Sequence, residues 1–215
     1  MRTLRRLAVL VLVAGVSSPA RAEIIDRILA VVDTQIITLS DARAALRFGL
    51  VPADVSTDPI GAVLQRLIDR RLMLSEVDRY APPDPPDQAV DARMAAIERR
   101  FGDALALEIA LNQSALTREE LRRQMRDGLR IDSYLQQRFS ASVQVSDDEL
   151  MRYYKEHAAE FMRDGQLRPF EDVREIVRER AAETQRAGFI RQWVDGLRRR
   201  GNVQLLYLPA NPLVR

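Results

Sequence analysis

The chain carries a single histidine, His157, with Glu156 and Glu160 beside it. An imidazole next to carboxylates is the least that general acid or base work requires. Upstream stands an acidic run, Asp147-Asp148-Glu149, and downstream a basic one, Arg198-Arg199-Arg200. No metal-ligand spacing links them to the histidine. Both runs suit a simpler role, because a helix favours acids at its N-terminus and bases at its C-terminus. There is no cysteine, which excludes thiolate nucleophiles, thiolate metal sites and disulfide staples. Serine-hydrolase, P-loop and dinucleotide fingerprints are missing. The sequence therefore predicts no catalytic residue, no metal and no cofactor.

The elements around these residues are easier to define. Ser146 with Glu149 forms a capping box. The run that follows places Leu150, Tyr153, Tyr154 and Phe161 at roughly helical spacing. Residues 162–169 hold Gly165 and Pro169, which mark a break and a new start. From Phe170 a stripe runs through Val173, Ile176, Val177, Ala181, Thr184, Ala187, Ile190, Val194 and Leu197. A helix to Arg200 would be roughly 46 Å long, with Trp193 as its expected anchor. Gly201-Asn202 ends it, and Val203–Leu208 is β-prone.

Near the start, Ile28–Val32 and Gln35–Thr38 read as strands around a tight turn at Asp33-Thr34. A hairpin alone is marginal, so Val203–Leu208 is the natural third strand. Between these ends the sequence predicts helices. Ser40 would cap one through Phe48, and Asp58-Pro59 would open another through Arg79. The proline-rich stretch 82–87 would be a stiff spacer and the place for any hinge. Further helices are expected over 89–101, from Asp103 to Leu111, and from the Thr117/Glu120 capping box to Phe139. On that last helix Leu121, Met125, Leu129, Asp132, Leu135 and Phe139 mark one face. Residues 140–145 would be an extended connector. The predicted fold class is mainly α with a small β-sheet, closed by pairing of N-terminal strands with a C-terminal strand.

Residues 1–22 read as a cleavable signal peptide. Arg2, Arg5 and Arg6 precede an apolar run from Leu7 to Val16, and Ala20-Arg21-Ala22 offers a cleavage site before Glu23. That run is too short to span a bilayer. Its loss removes four of the 33 basic residues and none of the 31 acidic ones, leaving two net negative charges. A clustered positive face for nucleic acid is then not expected, nor is stable membrane insertion.

Several stretches also carry a family pattern: DRILAVVDTQIITLSDA, AVLQRLIDRRLMLSEV, VSDDELMRYYKEHAAEF, PFEDVREIV and FIRQWVDGLRRRGNVQLLY. Together they resemble the SurA-type periplasmic chaperones and their PpiD and parvulin-chaperone relatives. In that family a parvulin prolyl isomerase domain normally follows the first of the two C-terminal helices. Here eight residues, 162–169, join them, too few for a domain. The resemblance implies a chaperone module (residues 23–161 with 170–208) lacking that domain and without isomerase catalysis. It implies a periplasmic, ATP-independent holdase for unfolded outer-membrane or secreted polypeptides. The small sheet itself allows a monomer or a strand-swapped dimer. The alternatives are an envelope assembly subunit docking one partner, and a degenerate isomerase. Flexible or broad side chains suit such clients. The candidates are Met94, Ile97, Phe101, Leu105, Met125, Tyr134, Met151 and Tyr154, each of which also falls at a core-type position.

Overall fold

A computed structural model of the chain describes residues 26–52, 56–140 and 144–208. The expected signal peptide and part of the 140–145 connector lie outside the described residues.

β1 (Ile28–Val32) turns at Asp33-Thr34 into β2 (Gln35–Thr38), with Val32 opposite Gln35. Asp33 takes the left-handed backbone (φ 54°) of the tight turn, which Asp tolerates better than most residues. α1 (Leu39–Phe48) follows directly. Its cap is Thr38, which forms a capping box with Asp41; the expected cap, Ser40, instead donates its backbone N–H to Asp26. Thr38 ends the strand in extended backbone, so it and not Ser40 has the geometry an N-cap needs.

α2 (Pro59–Tyr80) starts at the Asp58 cap and buries Val63, Leu64, Ile68 and Leu72 beneath the sheet. α3 (Asp87–Phe101) begins two residues earlier than the periodicity suggested, because Pro86 supplies extended backbone just before it. α4 (Ala104–Gln113) and α5 (Arg118–Phe139) complete the central helices. Beside the proline spacer, Arg130 of α5 reaches Asp78 (2.8 Å) before it and Asp84 (3.7 Å) within it, and Tyr80 packs on Tyr134.

α6 (Asp147–Glu156) stops before Phe161; His157 ends it, and a 3-10 turn over Ala158–Phe161 folds Phe161 under Leu150. Both expected capping boxes, Thr117 with Glu120 and Ser146 with Glu149, are present. Backbone hydrogen bonds from Thr117 and Ser146 hold the two glutamates below the usual carboxylate range. Residues 162–169 are more ordered than a plain break. β3 (Met162–Arg163) and β4 (Gln166–Leu167) form a hairpin whose two-residue turn puts Asp164 (φ 52°) and Gly165 (φ 77°) in the left-handed region. Glycine reaches that backbone without steric cost, as such turns require.

α7 (Phe170–Arg200) is continuous. Its first half buries Val173, Val177 and Ala181 against α6, and its last turns bury Val194 and Leu197 against the main body. Ile176, expected on the buried stripe, is 43% exposed. A straight helix joining two separate clusters need not keep one stripe buried along its length. β5 (Val203–Leu205), shorter than the predicted 203–208, pairs antiparallel to β1 with Val32 opposite Val203. The sheet order is β2-β1-β5, with the N-terminal strand central and the C-terminal strand on its flank.

This closure is reinforced at its corner. The Asp33 N–H donates to the Asn202 carbonyl (2.8 Å), and the Asn202 N–H donates to Asp33 Oδ1 (3.3 Å). Tyr207 OH donates to Asp58 Oδ1 (2.7 Å), tying the tail to the start of α2. Leu29 and Ala30 are fully buried beneath the sheet. Each fully buried leucine contributes about 1.5–3 kcal/mol, so uncovering this face is costly. Truncation after Asn202 should lower the thermal midpoint by roughly 5–10 °C, the scale of losing a few kcal/mol in a chain of this length. A cooperative melt at an unchanged midpoint would contradict the closure.

Candidate functional site

α7 returns across the main body antiparallel to α2, while α5 runs beside α2 in the same direction. The contacts fix these levels: Arg198 meets Asp69 and Gln65, Arg70 meets Gln124, and Met73 and Val77 pack near Ile131, Tyr134 and Trp193. Between the three helices and the chain at Leu50-Val51-Pro52 lies an open groove of about 550 Å³.

One end of the groove is apolar, lined by Met73, Ile131, Leu135, Ile190 and Val194. Its backing is aromatic. Trp193 packs on Tyr134 and Phe139 at ring centroid distances of 5.8 Å each, with the Arg138 guanidinium 5.7 Å above its ring. The other end is charged. Arg93 donates to Asp132 at 2.5 Å, and Arg198 donates to Asp69. Arg66, Arg70, Arg191 and Asp195 also line the groove.

Arg70 lies deepest. Its Nη2 donates to the Gln124 carbonyl at 2.6 Å. Among the described residues no carboxylate forms an ion pair with it. Burial pushes its guanidinium down from its ordinary value, opposed by the more distant charges of Asp127 and Asp132. Burial likewise pushes the Asp127 carboxyl up, against the pull of Arg70 and Arg130. Gly128 makes room here: a Cβ on it would sit 3.0 Å from Arg93 Nη1 and 3.4 Å from Arg70 Nη1.

The eight candidate residues fall elsewhere. Met94, Ile97 and Met125 are buried in the α3–α4–α5 core with Phe48 and Leu121, and Phe101 packs half-buried against it. Tyr134 is buried between Tyr80 and Trp193. Met151 and Tyr154 are half-buried on α6, where Tyr154 OH donates to the Arg168 carbonyl at 2.6 Å. Leu105 alone among the eight is well exposed, at 69%, on the outer face of α4. The groove gathers none of them. Four serve the core where α3, α4 and α5 pack tightly together, and Tyr134 serves the contact of α5 with α2 and α7, facts that side-chain flexibility cannot reveal. The predicted face of α5 holds at Leu121, Met125 and Phe139, but between them the buried line passes through Gly128, Ile131 and Tyr134, while Asp132 lies to the side facing Arg93.

The groove residues missed from sequence had looked like ordinary core stripe. The available signal was arginine set beside that stripe on several helices, together with a glycine inside α5. The residues with chemical potential do not converge. His157 stacks on Tyr153 (centroids 4.0 Å apart), and its Nδ1 lies 3.2 Å from the Tyr153 carbonyl. Asp147 pairs with Arg174, and Glu149 caps α6. Among the described residues no group of three or more potential ligands is placed to hold a metal, and no helix is long and apolar enough to cross a membrane.

Trp193 is half-buried, less than an ideal anchor, yet it is the main contact between α7 and the aromatic end of α5. Trp193→Ala should cost about 2–3 kcal/mol, below the roughly 3–5 of a fully buried site. Denaturant unfolding that shows no loss would mean that this contact does not hold α7 in place.

No family model matches the chain. The chaperone SurA of Bordetella pertussis and that of Bordetella bronchiseptica are each 31% identical to it over 153 residues. The match covers 65% of this chain and 28% of each relative. Among solved structures the fold is similar to a chain from work on the virulence factor PEB4 and the periplasmic protein Cj1289, two SurA-like chaperones of Campylobacter jejuni. The TM-score is 0.54 at 15% identity, covering 85% of this chain and all of that one. The chain is thus similar in sequence to SurA chaperones, of which it spans little more than a quarter of the length, and shares its fold with a SurA-like chain.

Proposed function

We propose that this chain is a periplasmic, ATP-independent chaperone module that holds unfolded exported polypeptides, outer-membrane proteins among them, in the groove between α2, α5 and α7. One observation carries this: an open groove of about 550 Å³ whose apolar wall includes a methionine and whose charged wall is mostly arginine. An unfolded client offers short apolar stretches without a single fixed epitope. Adaptable apolar side chains accept varied stretches, and arginine stems add apolar cover while their heads stay polar. Binding of this kind is weak per contact and reversible without a nucleotide. The similarity to SurA of two Bordetella species supports the same reading.

The module works without an isomerase domain between α6 and α7, since the β3–β4 hairpin closes that connection with a two-residue turn. It acts by holding, and its residues with chemical potential serve as caps and ion pairs.

The test is aggregation of a denatured outer-membrane β-barrel, diluted with and without the chain from Glu23 onward. Suppression near stoichiometric amounts is expected. Ile190→Arg, which places a cation at the half-buried apolar end, should weaken suppression several-fold while leaving the thermal midpoint nearly unchanged. Full suppression by this variant would exclude the groove. No suppression by the folded wild-type chain would exclude the holdase and favour a subunit that docks one partner.

A further inference from the structure

The groove sets an apolar stretch beside a deep cation. Met73, Ile131, Leu135, Ile190 and Val194 form that stretch, Leu50, Val51 and Pro52 line the groove as well, and its deepest cation, Arg70, sits at the level of Gly128. From Gly128 to Leu135 along α5 is about 10 Å. An extended peptide covers that span with about three residues. Five arginines and three aspartates line the whole groove. Two of those aspartates, Asp69 and Asp132, already pair with Arg198 and Arg93. Arg70 is different: it is largely buried, its direct partners are the Gln124 carbonyl and amide oxygen, and burial works against its charge. A buried guanidinium without a direct counter-ion gains most from an arriving carboxylate, because such a hydrogen bond is charge-assisted and poorly screened by solvent.

We infer that the groove receives the C-terminal end of an unfolded polypeptide, with its last apolar side chains on the Met73–Leu135–Ile190 wall and its terminal carboxylate on Arg70. This rests on the groove being the client site. An acidic side chain inside a longer segment would leave chain on both sides of Arg70, where Leu50, Val51 and Pro52 also line the groove, and is the alternative that the amidated glutamate peptide tests. Gly128 is a positioning residue for this site, since the space left by its missing side chain keeps Arg70 and Arg93 close to the groove floor.

The experiment uses fluorescein-labelled octapeptides ending in Val-Gln-Leu-Leu, one with a free carboxylate and one with a terminal amide. A third is amidated but carries glutamate three residues from its end. Anisotropy should show the free acid binding the wild-type chain at least roughly tenfold more tightly than the amide, the scale of a charge-assisted hydrogen bond. Arg70→Met, its fold checked by circular dichroism, should bind both equally weakly. Equal binding of acid and amide by the wild-type chain would overturn the inference, and so would an amidated glutamate peptide that matches the free acid. Ile190→Arg separates this from the groove itself. If acid and amide bind equally and Ile190→Arg abolishes both, the groove stands and the carboxylate claim falls. If Ile190→Arg leaves free-acid binding intact, the groove is not the client site.

Discussion

The pairing of β1 with β5 closes the chain on itself. Strands from opposite ends of the described sequence lie side by side, and Asp33 and Asn202 exchange backbone and side-chain hydrogen bonds at their corner. A two-stranded hairpin would be marginal by itself. With β5 added, the sheet covers Leu29, Ala30 and Ile37 and seats them on α2. That closure also fixes where α7 ends. Leu197 joins the core beneath the sheet, Arg198 meets Asp69, and α7 is held along α2. The groove exists because α7 is pinned in this way at one end and by the Trp193 aromatic contacts further along.

The remainder of α7 leads away to a second, smaller cluster. Leu150, Phe161, Val173 and Val177 pack α6 and the 3-10 turn onto its first half. Tyr154 ties this cluster to the β3–β4 hairpin through the Arg168 carbonyl. The middle of α7 carries mostly half-buried residues that belong to neither cluster. It therefore gives the groove a wall that is partly open to solvent, and Ile190 lies on that stretch. Charge is arranged to suit. Arg93 and Arg198 pair with Asp132 and Asp69, whereas Arg70 relies on a carbonyl and an amide oxygen.

Much of the architecture was legible because local signals were strong. The capping boxes at Thr117 and Ser146, the stop at Gly201 and the strand periodicity at both ends all name their own elements. The β1–β5 pairing followed from a physical need, since a lone hairpin lacks a partner. Ser40 failed as a cap because Thr38, the last residue of β2, already has the extended backbone an N-cap needs, and α1 starts at once with Leu39. The 3-10 turn at Ala158 was hidden because Phe161 keeps helical spacing while the backbone does not. The site was far less legible. A groove formed by three helices is a property of how they pack, and Ile131, Ile190 and Val194 look like core in any one helix. Met94, Ile97 and Met125 looked adaptable and proved to be interior.

The most direct test is site-specific photo-crosslinking to an unfolded outer-membrane β-barrel, with the crosslinker placed in turn at Leu135, Ile190 and Leu105. The first two line the groove, and the third is an exposed apolar residue away from it. Strong client crosslinks are expected from Leu135 and Ile190 and little from Leu105. Crosslinks dominated by Leu105 would place the client on the outer face of α4 and contradict the groove.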